Sequence, residues 1–310
     1  MFKQYKHAFF YLSWYNGIKK YEDKYMKISA PAKINWAIDI LGKREDGYHF
    51  VDMIMQQVEL YDYITVVENT ENEEIKITCN NPKVPIDSSN LCYKAASLYL
   101  TIAGIKTGVL INIEKNIPIE AGLAGGSSDG AAVLKALNKI YKALNEEKLL
   151  ELGAKMGADV PFCINGGSAR ATNIGEMLKT INVDTVYHLI LIKPNFGVST
   201  KKVYNEYDLI SKKENSRNSQ NVEIMIEKGN ANNLASKIGN ALEPVTFSLL
   251  PELKDIKESV LESGALNAIM SGSGPTIIGL FEDENSAAKA QDILKKRYPD
   301  YFIFKTKTIV

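Results

Sequence analysis

The stretch Ile117–Ala132 reads IPIEAGLAGGSSDGAA, with glycine and serine crowded around Leu123 just before a long apolar-periodic segment. A helix N-terminus leaves backbone N–H groups unpaired and carries partial positive charge. Glycines placed just before it let the main chain approach an anion, so loop and helix can cradle a phosphate without a lysine. The same residues could make a tight strand-to-helix turn with a serine cap, but the run GLAGGSS before a long helix favours phosphate. A Walker A loop needs Gly-Lys-Ser/Thr at the helix start, and Gly126-Ser127-Ser128 stand there instead. A dinucleotide loop needs G-x-G-x-x-G near the first strand, and this one lies deep in the chain.

Two further segments could complete a site for phosphoryl transfer. GADVPF sets Asp159 between small residues and a proline, and MSGSGPT, residues 270–276, is a second glycine turn with hydroxyls. Transfer to an alcohol needs a carboxylate that orients the hydroxyl or accepts its proton, and a cation nearby. Asp159 offers the first. Lys33 offers the second, because it shares the polar parity of an alternating segment with Asn35. A turn acid and a hairpin turn are the plain alternatives for Asp159 and for residues 270–276.

The elements that must hold these groups follow from periodicity. In KISAPAKINWAIDIL, Ile28, Ala30, Ala32, Ile34, Trp36, Ile38 and Ile40 alternate with Ser29, Lys33, Asn35 and Asp39, predicting a strand with one buried face. YDYITVVE and EEIKITC predict a hairpin around NTENE. NLCYKAASLYLTIAG predicts a helix ending near Gly104, and GVLINIEKNIP a strand. Val133, Leu137, Ile140, Tyr141 and Leu144 form the stripe of a helix after the glycine loop, with Ser127 or Ser128 as cap and Asp129 in its first turn. EKLLELGAKMG predicts a short helix stopping at Gly157. From YHLILIKPNF a second unit begins, with a helix pair at roughly 221–263, a strand–glycine turn–strand over ALNAIMSGSGPTIIGLF, then a helix and a last strand. The class is α+β, divided as residues 26–185 and 186–310.

Composition narrows the partners. The 310 residues carry 37 basic and 37 acidic side chains, so nothing attracts nucleic acid or an anionic membrane in bulk. No apolar run reaches membrane-spanning length. Cys79, Cys92 and Cys163 fit neither a zinc pattern nor a disulfide framework, and the three histidines are scattered, so no metal site is expected and the compartment is read as reducing and cytoplasmic. Residues 1–25, with an aromatic cluster at Phe9–Tyr15, are expected to lie outside the fold, with Met26 a candidate start. An ordered extension laying its aromatics on the surface is the alternative.

PAKIN near the start, PIEAGLAGGSSDGAA in the middle and SGSGP near the end resemble, in order, the three motifs of the GHMP kinases. The resemblance spans residues 26–310. It implies a two-domain fold with a ribosomal-protein-like N-terminal domain containing βαβ units and a ferredoxin-like C-terminal domain. Together SAPAKIN, REDGYH, NLCYKA, GADVPF and MSGSGPT are similar to the branch acting on 4-diphosphocytidyl-2-C-methyl-D-erythritol in the non-mevalonate isoprenoid pathway. DGYH is the most telling, because sugar and homoserine kinases lack it there. The resemblance implies Mg²⁺-dependent transfer of the ATP γ-phosphoryl to the 2-hydroxyl of that cytidine diphosphate-linked polyol. It implies Lys33 and Asp159 as catalytic residues. It implies Pro118, Ile119, Glu120, Ala121, Gly122, Leu123, Ala124, Gly125, Gly126, Ser127 and Ser128 as the ATP phosphate loop, with Asn90 and Lys115 at the adenosine end. It implies Asn35, Tyr48, His49 and Tyr204 as substrate contacts, Tyr48 and His49 at the cytidine, where the ring of Tyr48 stacks and His49 donates. One segment departs: where the family has another glycine-containing turn, this chain reads TNIGE, with Thr172 and Asn173. The rival readings are a homoserine- or mevalonate-type kinase, which would lack REDGYH, and a non-catalytic nucleotide sensor, against which Lys33 and Asp159 both weigh.

Overall fold

The computed structural model describes residues 24–210 and 218–310. The expectation for residues 1–23 lies outside the described residues. Lys24 and Tyr25 are within the fold: Lys24 pairs with Glu68 at 2.6 Å, and Tyr25 opens the first strand opposite Val67.

β1 (Tyr25–Lys43) and β2 (His49–Asn69) form a long antiparallel pair around the REDGYH turn. The expected single buried face of β1 is corrected. Lys33, Asn35 and Asp39 are buried with the apolar residues. The pairing slips between Asn35 and Ala37, and such a bulge switches the side-chain parity. Lys33, Asn35 and Ile38 therefore share one cleft wall, although unbroken alternation would separate Ile38 from the other two.

β3 (Ile75–Cys79), α1 (Leu91–Ala103) and β4 (Gly108–Glu114) form a βαβ crossover with β3 and β4 parallel. The expected β2–β3 hairpin is corrected here: β4 lies between the two strands and pairs with both. Val109, Ile111 and Ile113 give β4 a continuous apolar face, which α1 covers through Ala95, Ala96 and Tyr99. A bare hairpin would leave that surface wet. α1 ends as expected, on Gly104 in the left-handed conformation.

α2 (Gly125–Tyr141) follows the glycine loop, then α3 (Glu146–Met156) and α4 (Val160–Asn165). β5 (Ser168–Asn173) pairs with the first part of β2, along the same edge where β4 takes the last part, and β6 (Met177–Ile181) pairs with β5.

The second sheet begins with β7 (His188–Lys193). α5 (Thr200–Asp208), α6 (Asn218–Glu227) and α7 (Ala231–Ala235) follow, and β8 (Gly239–Asn240) returns to pair in parallel with β1. Asp39 accepts the N–H groups of Asn218 and Ser219 at the start of α6. α8 (Glu243–Leu249) and α9 (Glu252–Glu262) lead to β9 (Asn267–Met270), β10 (Ile277–Phe281), α10 (Glu284–Arg297) and β11 (Phe302–Lys307). The helix pair expected over 221–263 is thus several shorter helices interrupted by β8. The second sheet runs β11-β7-β10-β9, all antiparallel, which is the strand order of a ferredoxin-like unit. Trp36 and Ile34 of β1 pack with Tyr187, Leu189 and Leu191, so one apolar cluster joins the sheets.

Candidate active site

A cleft of about 1230 Å³ gathers the three glycine-bearing segments and the REDGYH turn. Its volume exceeds the roughly 300–1,000 Å³ usual for a single small-molecule site, so it has room for two ligands side by side.

The glycine loop forms one wall. Ala124, the residue before α2, sits at φ 52°, and no side chain caps the helix. Ser127 and Ser128 are therefore not caps. Ser128 Oγ instead donates to the Pro31 carbonyl at 2.7 Å. The first helical bond runs from Ser128 N–H to Ala124 O, which leaves the N–H groups of Gly125, Gly126 and Ser127 without helical partners. The Lys33 N–H donates to Leu123 O at 3.1 Å, fixing the loop to β1.

Each glycine answers a different constraint. A Cβ on Gly122, at φ 72°, would stand 2.2 Å from the Ser271 carbonyl, and Ser271 Oγ donates back to Gly122 O at 3.0 Å. The SGSGP turn thus clamps the loop from the second sheet. A Cβ on Gly125 would stand 2.9 Å from Lys115 Nζ, pointing into the protein. On Gly126 it would meet nothing within 4 Å, because Gly126 faces the open cleft.

Beneath the loop, Lys115 is locked between two carboxylates. Its Nζ donates to Asp62 and to Asp129 at 2.6 Å each, and all three side chains are buried. Asp129 lies past the first turn of α2, contrary to expectation. Burial, with the like charge of Asp62 beside it, pushes the Asp129 carboxyl up to about 8 in spite of Lys115. Burial works to lower the Lys115 ammonium, and the two carboxylates outweigh it and hold it above its ordinary value. The raised carboxyl favours the protonated form of Asp129, which lowers the negative charge beneath the loop. Asp129 Oδ1 has no hydrogen-bond partner, which a neutral carboxyl tolerates better than a carboxylate. Asn90 also lines the cleft, but its side chain is taken: it caps α1 by accepting from Cys92 N–H and donates to the Pro85 carbonyl.

Asp159 precedes α4, and its side chain makes no cap bond, so it is free to face the cleft. Lys33 Nζ stands 3.7 Å from Asp159 Oδ2 and donates to Asn35 Oδ1 at 2.7 Å. Asn35 in turn reaches Met53 Sδ. Lys33 is buried while Asp159 is one-third exposed, so the carboxylate meets the cleft and the ammonium backs it.

At the other end, Tyr48 is 61% exposed and its ring lies open on the rim. His49 is buried, 4.9 Å from the Tyr204 ring, and its Nε2 bonds Asp208 at 2.7 Å. Burial works to raise the Asp208 carboxyl, and hydrogen bonds from Lys43 and His49 outweigh it and hold it low. The Asp208 contact occupies Nε2, so a hydrogen bond between this ring and a ligand would run through Nδ1. Burial pushes the Tyr204 hydroxyl up, so it stays protonated.

The cleft also holds Thr200 and Ile174, which carry no sequence signal of their own. Thr200 Oγ1 and Ser273 Oγ lie 2.8 Å apart and join α5 to the SGSGP turn. Ile174 lines the cleft from a turn, while Asp62 and Asp208 stand behind the lining residues Lys115 and His49, where only the tertiary fold brings them.

The family model for the GHMP kinase N-terminal domain matches residues 90–167, and that for the C-terminal domain residues 221–300. A 4-diphosphocytidyl-2-C-methyl-D-erythritol kinase from Clostridium botulinum (strain Eklund 17B / Type B) is 48% identical over 282 residues, 91% of this chain and all of the relative. A crystal structure of 4-(cytidine 5'-diphospho)-2C-methyl-D-erythritol kinase superposes with TM-score 0.77 at 32% identity, covering 92% of this chain and all of that one. Homoserine kinase from Cytophaga hutchinsonii shares the fold, with TM-score 0.75 at 20% identity over 93% of this chain and 95% of that one.

Proposed function

From the chain's membership of the GHMP kinases, in their 4-diphosphocytidyl-2-C-methyl-D-erythritol kinase family, we propose how its residues divide the work. The reaction moves the γ-phosphoryl of ATP to the 2-hydroxyl of the methylerythritol unit. The observation that carries this reading is the Lys33–Asp159 pair, set in the same cleft as an uncapped helix N-terminus and an exposed tyrosine.

The loop Pro118–Ser128 binds the nucleotide phosphates, with the N–H groups of Gly125, Gly126 and Ser127 as donors. Asn90 shapes the adenosine end through its helix cap, and Lys115 by tying Asp62 and Asp129 together beneath the loop. Asp159 accepts the hydrogen bond of the attacking 2-hydroxyl. That oxygen bonds to the γ-phosphorus as the bridging β–γ oxygen departs with its electron pair, and the hydroxyl proton passes to the Asp159 carboxylate. Lys33 holds Asp159 and faces the charge spread over the transferring group. A loose transition state loses its proton late, so most of the acceleration comes from placement and electrostatics.

Mg²⁺ bound with ATP would supply charge neutralisation at the phosphates. Among the described residues no three of His, Cys, Asp or Glu converge. That suits an ion held by phosphate oxygens and water, with one or two protein oxygens. The Ser127 hydroxyl and the Asp159 carboxylate, both on the cleft wall, fit that donor set.

The cytosine lies on the Tyr48 ring. Its exocyclic amine donates to His49 Nδ1, whose tautomer Asp208 sets. Tyr204 backs His49, and Asn35 contacts the polyol. Among the described residues no helix is long and apolar enough to cross a membrane. With three free cysteines, this fits a cytoplasmic enzyme using small-molecule substrates, without nucleic acid or membrane.

The test is ADP release from Mg-ATP with 4-diphosphocytidyl-2-C-methyl-D-erythritol beside mevalonate, homoserine and galactose. Turnover with the cytidyl substrate alone is expected. Turnover with another alcohol would discard the cytidine slot, and ATP binding without turnover on any would point to a sensor.

A further inference from the structure

The turn between β5 and β6 reads TNIGE, where the family resemblance implies a further glycine. Asn173 there adopts φ 63°, a conformation asparagine tolerates better than other residues with a side chain. Its Nδ2 donates to Glu176, whose other oxygen accepts the Ile174 N–H at 3.0 Å. The turn is thus closed on itself and offers one acceptor outward, Asn173 Oδ1, which takes a hydrogen bond from Arg44 Nη1 at 2.7 Å.

Arg44 opens the REDGYH turn. Its Nη2 donates to Asp46 Oδ2 at 2.9 Å, and Nε reaches the same carboxylate at 3.2 Å. Asp46 Oδ1 accepts the Tyr48 N–H at 3.1 Å, while the Arg44 N–H donates to Tyr48 O at 2.7 Å. Three side chains therefore run in series from Asn173 through Arg44 and Asp46 to the Tyr48 N–H, while the Arg44 main chain holds the Tyr48 carbonyl. The Arg44–Asp46 pair alone is exposed, and such pairs hold geometry weakly. The amide of Asn173 gives it a third, partly buried anchor on a different loop. Arg44 and Asn173 stay behind the wall, while their neighbours Tyr48 and Ile174 line the cleft.

We propose that Asn173 is a positioning residue for the pyrimidine end of the site: it anchors Arg44 and thereby fixes Tyr48 and His49 opposite Ile174. The proposal rests on the reading that this end takes the nucleotide half of the substrate. Asn173 touches neither substrate nor reacting atoms. It specifies the slot through Arg44 alone, so it acts on substrate affinity and leaves phosphoryl transfer untouched.

The test is steady-state kinetics on Asn173→Gly, which keeps the positive φ and removes the amide. KM for 4-diphosphocytidyl-2-C-methyl-D-erythritol is expected to rise about five- to tenfold, within the range of one ordinary lost hydrogen bond. The kcat and the KM for ATP are expected to stay within about twofold. Arg44→Ala should match it, and the double variant should add nothing further. Asn173→Asp combined with Glu176→Gln, which keeps an oxygen for Arg44 without a like charge behind it, should restore the parental KM. An unchanged KM in Asn173→Gly, a fall in kcat with a rise in both KM values, additive effects in the double variant, or no rescue would each overturn the proposal. The parent enzyme is measured first on the same substrate. No turnover there would sink the slot reading itself, whereas parental turnover with an indifferent Asn173→Gly sinks only the positioning role.

Discussion

Asp159 and Lys33 lie 126 positions apart in sequence, and the fold brings their charged atoms to 3.7 Å. Replacing Asp159 with asparagine keeps the shape and removes the proton acceptor. We expect kcat to fall by about 10²–10⁴, with ATP affinity nearly unchanged, in a kinetic and calorimetric comparison. Full turnover in that variant would remove Asp159 from the mechanism. A subtler test concerns Asp129. Its carboxyl, pushed up to about 8, is neutral at pH 7 and ionises above that value. Ionisation adds one negative charge beneath the phosphate loop. KM for Mg-ATP should therefore be flat from pH 6 to 7 and rise by about three- to tenfold toward pH 9, as expected for a like charge several ångströms away. Asp129→Asn, which mimics the protonated form, should flatten the profile. Identical pH profiles for the two enzymes would show that Asp129 does not titrate there. Lys33, Asp159 and the glycine run were legible because their residue types announce their chemistry. Asp62, Asp129 and Asp208 were not, since a carboxylate that the fold pairs with a buried partner looks in sequence like any surface acid.

At the level of elements, the loop before α2 gives a contrast between adjacent glycines. Gly126→Val projects a side chain into the open cleft and should abolish measurable ATP binding while leaving the melting temperature within about 2 °C, as a substitution at an exposed site does. Gly125→Val drives its Cβ against Lys115 Nζ and Ile117, so it should lower the melting temperature as well as ATP affinity. Equal behaviour of the two would contradict the assigned directions. The helices α1, α2 and α3 were readable from their stripes, and Gly104 and Gly157 end α1 and α3 as the sequence indicated. The β2–β3 hairpin was misread because local alternation says that two segments are strands, not that a third strand comes between them. The bulge in β1 was invisible for a similar reason: it is a property of the pairing with β2, and it decides that Ile38 faces the same cleft as Lys33.

Across the whole molecule, the cleft draws its wall from both sheets, through the glycine loop on one side and Thr200, Gly272 and Ser273 on the other. A ligand there reports on the stability of both. Mg-ATP at about 100 times its Kd should stabilise the fold by about 2.7 kcal/mol, raising a single thermal transition by about 5 °C. Two transitions, with one unmoved by nucleotide, would mean the sheets melt separately. The order of synthesis adds a constraint. β1 leaves the ribosome well before its neighbour β8, which pairs Gly239 with Ala37 about 200 residues later. At roughly 5–20 residues per second, the far edge of β1 waits about 10–40 s for its partner. An unpaired strand edge is a template for foreign strands. The burial of Asp39 beneath α6 therefore has a second meaning in the nascent chain: until α6 arrives, that carboxylate leaves a charge on the waiting edge, a guard against aggregation that the finished fold turns into a helix cap.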